Sequence, residues 1–361
     1  MEQSAFVKWV SKYFPGVTVR ITKKLNDTTN PLPYLHKTLL KQQYSVDGKW
    51  EALIQENVLV SADYVAMDSD SPLKMRDSMG KANGEIPKMS MELWLNEKQL
   101  TDLDALVEQK GTTDAQIVAE LFKDTVKVIG GAYERNESTF LEGLSTGQAV
   151  VTDDENVGTG VRLDYGYLPS NKFGVSMALS DPTYKYWDDV KVIQEKAIAD
   201  GNPIEIAYTD SATVNAIAAL NQTKQLYAFS QNFVGSNIPN PDLEQLNAFT
   251  KKRYGFVYQI VDRTIRREKN KIRTSYKPFK AGMIIYTTSG PVGSLVYAKL
   301  AEQRRPVSGV TYQLVDNYIL VSIFRKNEPS VSEHTKMQAR VVPVIANVDA
   351  IYSQDTTLVT G

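Results

Sequence analysis

Ser145 sits in the one stretch that formally matches a catalytic motif. Gly143-Leu144-Ser145-Thr146-Gly147 fits G-x-S-x-G, and Asp316 and His334 follow in the chain order that esterases use. In such an enzyme the serine oxygen attacks an ester carbonyl while the histidine takes its proton. That chemistry needs a sharp turn between a strand and a following helix, which presents the hydroxyl at the end of a sheet. Here a helical period precedes the serine and a strand-like run, Ala149-Val150-Val151-Thr152, follows it. The segment therefore reads as a helix end closed by glycine, and no catalytic residue is expected.

Other reactive constellations are as thin. His36 stands in a proline-rich stretch and His334 in Pro329-Ser330-Val331-Ser332-Glu333-His334. Neither has a second histidine at metal-ligand spacing, so both read as solvated loop residues. Cysteine is absent, which removes disulfides, thiolate metal sites and cysteine nucleophiles together. Gly158-Thr159-Gly160 lacks the third glycine and following helix of a dinucleotide fingerprint, and Gly290-Pro291-Val292-Gly293 lacks its spacing; both read as turns. Asp153-Asp154-Glu155 and Asp188-Asp189 lack a calcium-loop pattern and read as a solvated turn and a helix amino terminus. No metal and no cofactor is expected.

Lysine plus arginine total 41 against 42 acids, which lacks the positive balance that phosphate neutralisation asks of a dedicated DNA-binding protein. The charge is uneven, however. Arg263, Arg266, Arg267, Lys269, Lys271, Arg273, Lys277 and Lys280 form a basic stretch relieved only by Asp262 and Glu268. It would face DNA or a neighbour's acids, or it is an exposed hairpin charged to keep its edges from pairing.

The elements that must position these residues follow from periodicity. With 42% hydrophobic and 23% charged residues, the chain has ordinary globular usage and ample length for a core. Residues 1–57 read as an extended arm, in which Pro15-Gly16, Asn30-Pro31 and Pro33 punctuate β-type runs such as Val17–Ile21. Residues 58–93 read as a long hairpin between Val58-Leu59-Val60 and Met89–Leu93. Its polar middle holds few large apolar residues, namely Met67, Leu73, Met75 and Met79. From Thr113 to Leu144 the period is helical, beginning at the capping box Thr113–Gln116, and a continuous helix there would span about 48 Å. Gly130-Gly131 is a candidate kink. A helix from Trp187 to Ala199, a strand at 204–208 and a helix at 211–220 suggest a compact α-and-β subdomain; 221–252 reads as an elaborated loop. From Tyr254 onward β signals dominate.

The order of long arm, long hairpin, long helix, α/β subdomain and returning strands resembles the tailed-phage capsid fold named after phage Hong Kong ninety-seven. More specifically, Arg135-Asn136-Glu137, Leu141 and Leu144-Ser145-Thr146-Gly147 are similar to the spine-helix end of the lambda-type major capsid protein family. Val161-Arg162-Leu163-Asp164-Tyr165-Gly166, Asp181-Pro182-Thr183 and Trp187-Asp188-Asp189-Val190 look like that family's next strand and its lead into the axial domain. The closing Val341-Val342-Pro343-Val344-Ile345 matches more loosely.

The resemblance implies an α+β fold with an N-arm (1–57), an E-loop (58–93) and a peripheral domain (94–185) carrying a spine helix at 113–144. It further implies an axial domain (186–325) and returning peripheral strands (326–361). The implied function is a non-enzymatic major capsid protein, assembling in the host cytoplasm and ending in the virion. Its partners would be copies of itself in hexamers and pentamers, separate scaffolding and portal proteins, a decoration protein, and double-stranded DNA met non-specifically. Met67, Leu73, Met75 and Met79 would be buried on a neighbour. No membrane contact is expected, since no run approaches the ~18 apolar residues of a spanning helix and the amino terminus reads as no secretory signal. A tail-tube or sheath subunit is one alternative, and the long helix before an α/β subdomain argues against it; a serine esterase using Ser145 is the other, held far below by the helix-then-strand context of that serine.

Overall fold

The structure, a computed structural model, describes residues 2–27, 34–54, 80–151, 161–232, 238–269 and 272–360. The chain opens with helices α1 (Val7–Leu25) and α2 (Leu35–Leu39), then strands β1 (Leu40–Tyr44), β2 (Lys49–Ile54), β3 (Gly80–Glu85) and β4 (Lys88–Leu95). Helices α3 (Glu97–Glu108), α4 (Asp114–Leu121) and α5 (Lys123–Thr146) follow, then strands β5 (Gln148–Val151), β6 (Val161–Asp164) and β7 (Lys172–Val175). Next come α6 (Tyr186–Ala199), β8 (Ile206–Thr209), α7 (Ser211–Ala219), α8 (Asn221–Ser230) and α9 (Leu243–Tyr254). The remainder is β9 (Val257–Ile260), β10 (Ile265–Lys269), β11 (Ile272–Tyr276), β12 (Met283–Thr287), β13 (Gly293–Ala298), α10 (Ala301–Arg304), β14 (Thr311–Val315), β15 (Ile319–Lys326), β16 (Ser332–Ile345) and β17 (Ile351–Val359).

Two compact units divide the chain, one drawn from Met1–Trp50, Gly84–Ser138 and Ser294–Val344, the other from Glu51–Asn83, Thr139–Gly293 and Ile345–Gly361. In the first, β16 is the hub of a sheet ordered β1-β13-β16-β15-β14, with β4 also paired to β16. β16 is buried along nearly its whole length, as a strand with neighbours on both edges should be. In the second, a sheet ordered β7-β17-β12-β8-β9 carries α6 to α9 around an aromatic core.

Several expectations need correction. The first 25 residues are not an extended arm: α1 is helical, with Val10, Phe14, Thr18 and Ile21 buried at helical spacing and Phe14 stacked on Phe122 at 5.8 Å. The β-branched run Val17–Ile21 favours a strand locally, but the 10-14-18-21 stripe buries its apolar side chains only as a helix. Pro15 lies inside that helix and removes one hydrogen bond. The segment has its own buried contacts and does not wait for another surface.

The helix expected at 113–144 is two helices parted at Phe122, which is buried. α5 runs on through Gly130-Gly131 without a break. Gly131 serves close approach instead: a Cβ there would lie 2.7 Å from Met91 Sδ. The 221–252 segment is not a loop but contains α8 and α9. α9 opens on a full capping box, Asp242 accepting from Gln245 N at 2.8 Å and Gln245 from Asp242 N at 3.1 Å, and closes on Gly255 at φ 83°.

Of the two strand runs expected to frame the hairpin, Val58-Leu59-Val60 lies outside the described residues, and Met89–Leu93 pairs with β16. That second run belongs to β4, where Met91 lies opposite Met337, whereas β3 pairs with β2. The boundary expected at 325/326 falls inside β15, whose Lys326 lies opposite Ser332 of β16 in the same sheet. β13 to β15 thus belong with β16, and β17 joins the other sheet.

Candidate assembly surfaces

The basic stretch forms an antiparallel hairpin, β10 against β11, with Arg267 opposite Thr274 and Glu268 opposite Arg273. Much of its charge is answered locally. Arg273 Nε donates to Glu268 Oε2 at 2.6 Å, Lys277 Nζ to Asp262 at 3.1 Å and Lys280 Nζ to Asp355 at 2.7 Å. The Arg267 guanidinium lies 3.9 Å over the Tyr276 ring. Burial works against ionising Asp262, yet hydrogen bonds from Ser211 and Lys277 outweigh it and hold the carboxyl below its usual range. Arg266 is exposed and Arg263 half-buried; Lys271 lies outside the described residues, and Lys269 is placed by its backbone in β10. Beside the hairpin a 360 Å³ cleft is lined by Glu142, Val150, Arg267, Thr274 and Tyr276. Exposed Ile272 lies on the same hairpin, giving a mixed polar and apolar surface rather than a bare cationic one.

The three residues in esterase order have other work. Ser145 is buried at the end of α5; its hydroxyl donates to Glu142 O at 3.2 Å and accepts from Lys280 N at 3.0 Å. The flanking glycines are explained by packing: a Cβ on Gly143 would lie 2.4 Å from Tyr165 Cε2, and Gly147 has φ 78°. Asp316 accepts from Lys37 Nζ and from the Tyr133 hydroxyl, each at 2.5 Å. His334 Nδ1 pairs with Glu92 at 2.7 Å and its Nε2 with the Ser332 hydroxyl at 2.8 Å.

Neither histidine is the solvated loop residue expected. His36 is 0% exposed in α2, its Nδ1 2.6 Å from Glu137 Oε2, while Glu137 also accepts from the backbone N–H groups of Leu35 and His36. His334 is 7% exposed in β16, stacked on Phe324 at 5.3 Å. Both are partnered from far along the chain, which local composition does not register. Among the described residues no cluster of three or more histidine, aspartate or glutamate side chains is placed to hold a metal.

Sequence reading missed a second charged surface. α1 contains Lys8, Lys12, Arg20, Lys23 and Lys24 and no acid. Lys12 meets Asp114 at 3.5 Å; among the described residues no ion pair engages Lys8, Arg20, Lys23 or Lys24. Next to them a 220 Å³ groove is lined by Thr18, Val19, Thr22, Lys23, Leu314 and Val315, with Val19 53% and Leu314 46% exposed. The signal was a nineteen-residue acid-free run with helical apolar spacing.

No protein-family model matches the chain, and no curated protein does. Solved structures do. A protein assigned as the capsid protein of an E. coli CFT073 prophage superposes with TM-score 0.57 at 13% identity, over 94% of this chain and 98% of that one. The chain has the tailed-phage capsid fold. A phage-related protein from Bordetella bronchiseptica RB50 aligns with TM-score 0.51 at 10% identity, over 94% of this chain and 96% of that one. The shared fold thus accounts for the α+β arrangement of this chain at identities of only 13% and 10%. Met67, Leu73, Met75 and Met79, the expected hairpin contacts, lie outside the described residues.

Proposed function

We propose that this chain is the major capsid protein of a tailed bacteriophage. It assembles into hexamers and pentamers of an icosahedral shell that encloses double-stranded DNA, and it has no catalytic role. The single observation that carries the reading is the capsid fold extending over 94% of this chain and 98% of the prophage protein. A sequence without an intact catalytic constellation supports it. So do the partners of Ser145, Asp316 and His334, each of which is used in packing its own surroundings.

In this reading the β2–β3 pair is the root of the E-loop, and Met67, Leu73, Met75 and Met79 bury their apolar surface on an adjacent subunit. Around a capsomer axis the contacts are heterologous, one face meeting a different face of the next copy until the ring closes. Assembly takes place in the host cytoplasm with separate scaffolding and portal proteins, and DNA is met without sequence preference. Negative-stain microscopy of the purified chain, with and without its scaffolding protein, tests this directly. Closed shells are expected; open tubes would point to a tail subunit, and persistent monomers under both conditions would refute a shell role.

A further inference from the structure

We infer that α1 of one subunit docks on α3 of a neighbouring copy of this chain, through a basic stripe meeting an acidic one. The inference rests on the shell reading and says which surfaces close one of its contacts. On α1, Lys8, Lys12, Val19 and Lys23 recur at i, i+4, i+11 and i+15, which places them on one face, opposite the buried Val10, Phe14 and Ile21. All four are exposed, and Arg20 and Lys24 flank them. On α3, Glu97, Asp104 and Glu108 recur at i, i+7 and i+11, beside the buried Leu100 and Leu103. These carboxylates are exposed, and among the described residues none has an ion pair.

The two stripes fit in sign and in length. Lys12 to Lys23 and Glu97 to Glu108 are each eleven residues apart, about 16 Å along a helix. The basic stripe also borders the groove at Val19 and Leu314, whose exposed apolar surface gives the contact something to bury besides charge. α3 supplies an apolar flank to its acidic stripe in the half-buried Val107. Donor and acceptor faces are different parts of one chain, so the contact is able to repeat head-to-tail around a ring. DNA would also be attracted to α1, but it offers no use for the unpaired acids of α3. A second copy answers both.

The chain has no cysteine, so introduced thiols report the contact cleanly. Val19→Cys and Asp104→Cys are made on separate chains, one carrying a size tag, and mixed under mild oxidation. A mixed disulfide of the two is expected, in excess over either like pair. In parallel, Lys8→Glu/Lys23→Glu and Glu97→Lys/Asp104→Lys/Glu108→Lys are each expected to raise the concentration needed for association by about tenfold or more. Mixing the two reversed chains, or combining the changes in one, should restore it. About 1 M salt should weaken wild-type association, since screening there acts within ~3 Å.

Wild-type shells with no mixed disulfide, or with no rescue by the double reversal, overturn the contact and leave the shell reading standing. A mixed disulfide from a chain that never forms shells supports the contact and removes the shell reading. If reversal of α1 leaves shells normal and lowers only their retained DNA, α1 faces nucleic acid and the inference fails.

Discussion

The two units of this chain are held together by different physics. Around the five-stranded sheet, the core is aromatic: Trp187 stacks on Tyr254 at 4.6 Å and meets Phe249 edge-on at 5.6 Å. Tyr186 hydrogen-bonds both Tyr258 at 2.9 Å and Tyr286 at 2.8 Å, and Tyr286 donates to Gln354 at 2.9 Å. Its buried polar atoms are largely hydroxyls, and burial pushes those phenols well above their usual pKa. The unit built on β16 has histidine–carboxylate pairs in its interior, at His36–Glu137 and His334–Glu92. The first kind of core is insensitive to pH near neutrality. The second leaves a buried donor or acceptor without its partner whenever one member of a pair is removed.

The largest effect that would test this contrast is expected at Trp187. It is fully buried and its Nε1 donates to Thr223 at 3.0 Å. Trp187→Ala should cost about 4 kcal/mol, from lost transfer free energy and the cavity left behind. Denaturant unfolding of the unassembled chain reads it, and a loss under ~1 kcal/mol would mean the aromatic cluster is not the core of its unit.

Glu137→Ala probes the other kind. The carboxylate side chain is 1% exposed and accepts three hydrogen bonds, from Leu35 N, His36 N and His36 Nδ1. Removing it strands those donors in the interior at a cost of about 3 kcal/mol. If the variant is as stable as wild type, the pair is ornamental and the contrast between the cores collapses.

What could be read from sequence divides along the same line. α6, β8 and α7 were legible because each carries its own period and α7 its own cap, with Asp210 accepting from Thr213 N at 2.9 Å. The strand or helix character of 7–25 was not, because Pro15 and a β-branched run argue locally against the burial stripe that decides it. α9 announced itself through Asp242 and Gln245, a signal overlooked among asparagines and prolines. The burial of His36 and His334 had no local signature at all. His36 meets a partner 101 positions away and His334 one 242 away, and only tertiary structure brings them together.

The smallest expected effect is a pH dependence confined to the β16 unit. His334 faces Glu92 from β4, Lys326 from β15 and Ser332 from its own strand, and it is stacked between Phe324 and Trp94. Burial is the main influence on the imidazole and lowers its pKa; the Glu92 hydrogen bond opposes this, and Lys326 adds to it. The unfolded chain takes up this proton as pH drops through about 6.5, while the folded chain resists until a lower pH. Between those two values the unfolded state binds more protons, so stability falls as pH falls, and the loss is complete once the folded histidine is protonated too. Glu333, in the same strand, has its carboxyl pKa raised by burial and shifts stability in the opposite sense, so the wild-type curve alone mixes the two. Comparing wild type with His334→Gln between pH 7.5 and 5.5 isolates the histidine, because Glu333 is common to both. The wild type should lose more stability than the variant over that range. Parallel curves would show that His334 titrates alike in both states, and that the polar interior of this unit is as indifferent to pH as the aromatic one.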